Sequence, residues 1–107
     1  LYYLTIKDCH IQKLTNSIKF DKEQIIEFHL VSSQLELVPI NYFKGFPNLE
    51  WLNLSRNVLK QLPKLTTNLK LELIDLSYNN FFNLEFSNAS YLPISLKYLN
   101  ISHNDIK

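Results

Sequence analysis

The chain has 107 residues, 46% of them apolar, which suffices for one compact domain and is too short for two ordinary ones. Its 11 Lys and Arg against 10 Asp and Glu leave no field of one sign to attract nucleic acid or anionic lipid. No apolar run approaches the roughly 18 residues that a bilayer span requires, so no membrane contact by this segment and no nucleic-acid partner are expected. There is no Met and no signal-like start, so Leu1 reads as the beginning of a processed or truncated segment.

Taken in chain order, one pattern of apolar positions one, four, six and eleven with a small polar residue at position nine recurs five times. It runs Leu1, Leu4, Ile6, Cys9, Ile11, then Ile25, Phe28, Leu30, Ser33, Leu35. Three stricter copies follow: Leu49, Leu52, Leu54, Asn57, Leu59; Leu71, Ile74, Leu76, Asn79, Phe81; and Leu96, Leu99, Ile101, Asn104, Ile106. Position six falls at 6, 30, 54, 76 and 101, spacings of 24, 24, 22 and 25. A repeat of this length predicts an α/β solenoid, a right-handed superhelix whose short strands form a parallel concave sheet. Each strand alternates inward and outward side chains, and stacking the coils buries the inward ones.

The segments between strands should be mostly irregular or 3-10. The first, with Leu14, Ile18 and Phe20, departs most from the pattern, and Asp21 to Ile26 could hold one helical turn with Asp21 as N-cap. The second places Leu35, Val38, Pro39, Phe43, Phe46 and Leu49 on the convex layer; the third begins with Leu59, Leu62 and Pro63; the fourth carries Phe81, Leu84, Phe86, Tyr91, Leu92 and Pro93. The whole of 1–107 reads as a single domain fragment of about five repeats, starting near residues 1, 25, 49, 71 and 96, with both polar caps missing.

Position nine sits where the chain leaves the strand, and its side chain can satisfy backbone groups that the turn leaves unpaired. Cys9, Ser33, Asn57, Asn79 and Asn104 should form this structural ladder, with Cys9 a small buried member rather than a nucleophile or metal ligand. A lone cysteine cannot form an internal disulfide, which points to a cytosolic chain or to a piece separated from disulfide-bearing ends.

Positions three, five and seven point outward on the concave face. Column three is Tyr3, Glu27, Trp51, Leu73, Tyr98; column five Thr5, His29, Asn53, Asp75, Asn100; column seven Lys7, Val31, Ser55, Ser77, Ser102. Position eight adds Asp8, Ser32, Arg56, Tyr78 and His103 at the strand exit. Aromatic and Arg side chains dominate interface energetics, so Tyr3, His29, Trp51, Arg56, Leu73, Asp75, Tyr78 and Tyr98 are the candidate partner-binding residues. With Gly45 the only glycine, a phosphate-binding glycine loop is excluded. His10, His29 and His103 are scattered over different coils, and His29 and Asp75 stand two strands apart, so no metal centre, cofactor or catalytic residue is expected. Three glycosylation sequons begin at Asn53, Asn88 and Asn100; Asn53 and Asn100 follow from the strand pattern, leaving Asn88 as the glycosylation candidate.

The stretches Leu49-Glu-Trp-Leu-Asn-Leu-Ser-Arg-Asn57 and Leu71-Glu-Leu-Ile-Asp-Leu-Ser-Tyr-Asn79 resemble the leucine-rich repeat family, extracellular type, and the likeness runs from Leu1 to Lys107. Arrays of this irregular, Asn-rich and Phe-rich kind look like Toll-like receptor ectodomains and the secreted leucine-rich immune proteins of mosquitoes. The resemblance implies a non-catalytic module that recognises a protein or microbial ligand in innate immunity, outside the cell or on a receptor ectodomain, with homo- or hetero-dimerisation through the repeat surfaces as a further mode. Two other functions fit the same residues: an intracellular scaffold or regulatory subunit that docks a protein partner, and a structural spacer in a larger ectodomain.

Overall fold

The computed structural model describes residues 2–15, 21–82 and 91–105. Strands β1 (Tyr2–Lys7), β2 (Ile25–Val31), β3 (Trp51–Asn53), β4 (Leu73–Asp75) and β5 (Tyr98–Asn100) form one sheet in the order β1-β2-β3-β4-β5, every neighbour parallel. Chain order and sheet order coincide because each coil returns to lay its strand beside the previous one. The expected stack of coils is thus present, and the described convex side is irregular apart from a 3-10 turn at Tyr42–Gly45. Leu37 pairs with Lys13 in an isolated parallel bridge, a second small contact between successive returns.

The inward positions form one core. Phe28, Leu30, Leu52, Leu54, Ile74 and Leu76 are fully buried, and Leu99 and Ile101 pack against them. Across the coil from the strands, Phe43 and Phe46 meet Phe28 at ring-centroid distances of 5.2 and 5.7 Å, both edge-to-face, the arrangement that aromatic quadrupoles favour. Val38, Leu62 and Pro63 are buried as convex residues, whereas Pro39 faces solvent. Tyr42 joins the aromatic cluster although the repeat gives no reason to place it inside; burial holds its phenol above the ordinary pKa, and its hydroxyl has no hydrogen-bond partner among the described residues.

Two expectations are corrected. Asp21 to Ile26 contains no helical turn: the Gln24 N–H donates to the Asp21 carbonyl at 3.1 Å in a simple turn, and β2 begins at Ile25. Pairing with β1 and β3 captures the residues that a helix would have needed. Cys9 is exposed rather than buried. It stands in the outermost coil of the described chain, covered on one side only, whereas Ser33, Asn57 and Asn79 are enclosed from both sides. Leu1, Ile18, Phe20, Leu84, Phe86, Asn88 and Ile106 lie outside the described residues.

Position nine shows why Asn recurs. Asn57 Oδ1 accepts from the N–H groups of Ser33 (3.0 Å) and Leu35 (3.1 Å) in the preceding coil, while its Nδ2 donates to the carbonyls of Leu30 (2.8 Å) and Leu54 (2.9 Å). Asn79 accepts from Leu59 N–H and donates to the carbonyls of Leu54 and Leu76; Asn104 accepts from Phe81 N–H and donates to Leu76 and Ile101. Only a carboxamide supplies acceptor and two donors at this length. Ser33 manages less: its hydroxyl donates to the Val31 carbonyl and accepts from Cys9 N–H.

Candidate concave face and exit rim

The register aligns side chains across coils. Tyr3, Glu27, Trp51, Leu73 and Tyr98 are successive partners, as are Thr5, His29, Asn53, Asp75 and Asn100. Both rows project from the sheet face opposite the core, because their neighbours at positions four and six point inward. Neighbouring strands lie about 4.8 Å apart, close enough for each row to act as a continuous stripe.

In row three, Tyr3, Trp51 and Tyr98 are exposed and Leu73 is half-buried between the last two. Row five is tied into the molecule from His29 onward. The His29 ring contacts Trp51 at 4.8 Å edge-on, and its Nε2 lies 3.0 Å from Glu27 Oε1. His29 therefore braces one face of Trp51 and is itself anchored by Glu27. Asp75 Oδ1 accepts from the N–H (3.0 Å) and hydroxyl (2.7 Å) of Ser77; Asn53 accepts from Ser55 N–H, and Asn100 from Ser102 N–H and hydroxyl. These side chains close the strand ends, satisfying the position-seven N–H locally. The same closure occupies the carbonyl oxygen of the Asn53 and Asn100 sequons.

Position eight is governed by backbone. Asp8, Ser32, Arg56, Tyr78 and His103 all have φ between 54° and 58°, in the left-handed region. A non-glycine residue there costs about 1–2 kcal/mol. The turn requires it, since it swings the next residue, the ladder member, into the core. Interstrand hydrogen bonding extends to the same point: Arg56 N–H donates to the Ser77 carbonyl at 2.9 Å and Tyr78 N–H to Ser102 at 3.0 Å. Successive position-eight side chains are therefore held one strand spacing apart, and in three coils they stack. The Arg56 guanidinium carbon lies 4.1 Å from the centroid of the Tyr78 ring, and the His103 ring lies parallel to Tyr78 at 4.1 Å and 10°.

The structure thus gathers Trp51, Leu73 and Tyr98 into one stripe and Arg56 and Tyr78 into a rim at the strand exits. Tyr3 shares the row but is separated from Trp51 by Glu27, while His29 and Asp75 hold positions within the molecule. His103, which the sequence places in the exit column but not among the candidate partner-binding residues, joins them; it occupies the next place in the column after Tyr78, and that spacing was the available signal. Among the described residues no hydroxyl or thiol is hydrogen-bonded to the His29–Glu27 pair, and no group of three metal-binding side chains is gathered. No helix among them is long and apolar enough to cross a membrane.

Residues 24–81 match the leucine rich repeat family. Prolargin of Bos taurus is 34% identical over 86 residues, covering 78% of this chain and 21% of prolargin. Fibromodulin of Oryctolagus cuniculus is 33% identical over 81 residues, 75% of this chain and 52% of that sequence. The leucine-rich repeat-containing G-protein coupled receptor 5 of Rattus norvegicus is 32% identical over 77 residues, 72% of this chain and 8% of the receptor. The chain therefore spans about a fifth of the length of the prolargins it matches. The family match, the five-stranded parallel stack and the asparagine at the strand exit agree, and the chain belongs to the leucine-rich repeat family.

Proposed function

We propose that this chain is a recognition module that binds a macromolecular partner, foremost a protein, on its concave face. The observation that carries the reading is the register-aligned stripe Trp51–Leu73–Tyr98, in which large side chains remain accessible although the fold does not need them inside. Aromatic groups in such a position combine large contact area with little loss of side-chain freedom on binding. An extracellular setting is supported by the likeness to prolargin, fibromodulin and the leucine-rich repeat-containing G-protein coupled receptor 5. The finer assignment, innate-immune recognition, rests on the likeness of the repeats to Toll-like receptor ectodomains and mosquito leucine-rich immune proteins. Asn88 is the glycan acceptor in this reading.

A photocrosslinking residue placed at Tyr98, compared with one at Lys44 on the convex side, tests the proposal in fluid from the native source. One species crosslinked at 98 and not at 44, and lost on Trp51→Ala, is the expected result; a second copy of the chain as that species would identify a dimer. Equal capture from both faces, or capture indifferent to Trp51→Ala, would leave the chain as a spacer.

A further inference from the structure

The exit rim carries a more specific message about the partner. Arg56 lies over one face of Tyr78 and His103 stacks on the other, so three planar groups form a single ladder across coils three, four and five. A guanidinium laid over a ring loses much of its rotamer freedom, yet its N–H groups stay at the edge, available to an acceptor. Among the described residues the acidic side chains that meet a basic one are Glu27, hydrogen-bonded to His29, and Glu72, paired with Lys97, and Arg56 has no acidic partner. The choice of residues is itself informative. The left-handed turn is most easily made by Gly, Asn or Asp; coils one and two use the small Asp8 and Ser32, whereas coils three to five place Arg, Tyr and His on the same strained backbone. Those are also the coils that carry Trp51, Leu73 and Tyr98, five residues earlier along each strand, about 16 Å away.

Resting on the concave-face reading above, we propose that the Arg56–Tyr78–His103 rim is a carboxylate-binding site, and that the partner presents an Asp or Glu side chain there together with apolar side chains on the Trp51 stripe. Arg56 offers the paired N–H groups that match a carboxylate, Tyr78 fixes their position, and His103 closes the far side of the ring. A monoanion fits better than a phosphate dianion. The site holds a single permanent cation, the chain as a whole carries only +1, and Asp75 stands on the same coil as Tyr78.

The test uses two immobilised synthetic peptides, three repeats of Leu-Tyr-Glu-Glu and the same sequence with Gln for every Glu, with the whole protein in solution. The acidic peptide is expected to bind about tenfold more tightly than its neutral counterpart, the size of a charge-assisted hydrogen-bonded contact. Arg56→Gln should abolish that ratio while leaving the neutral peptide unaffected, and Arg56→Lys should restore only part of it. Trp51→Ala should weaken both peptides alike. The proposal is overturned by a ratio that survives Arg56→Gln, by no binding of the acidic peptide at millimolar concentration, or by tighter binding of a phosphoserine version. The two readings separate cleanly: loss of the Trp51 effect with the ratio intact removes the stripe and keeps the rim, and the reverse removes the rim alone.

Discussion

Positions eight and nine of each coil are adjacent in the chain and belong to one turn, yet they obey different rules. Position nine points inward, where Asn57 and Asn79 have their acceptor and both donors engaged by backbone. Position eight points outward from a backbone that the turn forces into the left-handed region, and its side chains are Asp, Ser, Arg, Tyr and His. One residue of separation divides a position fixed by the fold from one open to function. The lesson extends to the concave rows, where Asn53, Asp75 and Asn100 of row five are absorbed into strand closure and Trp51, Leu73 and Tyr98 of row three are not.

The sharpest way to break this contrast is Asn57→Leu. It strands the buried N–H groups of Ser33 and Leu35 together with the carbonyls that Asn57 serves, and should destabilise the chain by about 3 kcal/mol or more in urea unfolding, since each unsatisfied buried group costs about 1–3 kcal/mol. A loss under about 1 kcal/mol would mean that the ladder is ornamental. Next in size, Leu54→Ala removes a fully buried side chain from the middle of the stack and should cost about 2–5 kcal/mol. Tyr42→Phe has the opposite sign: deleting a buried hydroxyl that has no partner among the described residues should stabilise by about 1 kcal/mol.

Position eight sharpens the comparison at smaller scale. Tyr78→Ala keeps the left-handed strain and loses the stack with Arg56 and His103, so it should cost about 1 kcal/mol. Tyr78→Gly loses the same contacts but relieves the strain, and the two terms, each about 1 kcal/mol, should nearly cancel. A Gly variant no more stable than the Ala variant would show that the turn is not strained. The smallest effect is expected at the entry side of the strands, where Lys97 and Glu72 pair at 2.6 Å in full view of solvent. The hydrogen bond and charge of Glu72 raise the Lys97 pKa, so whatever stability the pair adds through Lys97 is present at neutral pH and fades as pH climbs past the ordinary lysine value. Because such exposed pairs are screened, Lys97→Gln should leave the urea midpoint at pH 7 unchanged within error.

The periodicity of Leu, Ile and Phe determined the coil stack by itself, because burying one aliphatic face per strand admits only one register over five copies. The asparagine column was legible for the same reason: its chemistry is local to each turn and repeats with it. Cys9 was misjudged because burial at position nine depends on coils lying on both sides, which the local pattern does not encode. The turn at Asp21 was misjudged because strand pairing with two neighbours overrode a weak capping signal. His29, Asp75, Asn53 and Asn100 look available in the sequence, but each is engaged by a residue two positions away, Glu27, Ser77, Ser55 and Ser102, as soon as the local strand and its exit form. Tertiary structure alone decided which outward side chains of different coils meet. The stack of Arg56, Tyr78 and His103 also exists only there: these residues are more than twenty positions apart in the chain and meet because parallel hydrogen bonding holds each coil one strand spacing from the next.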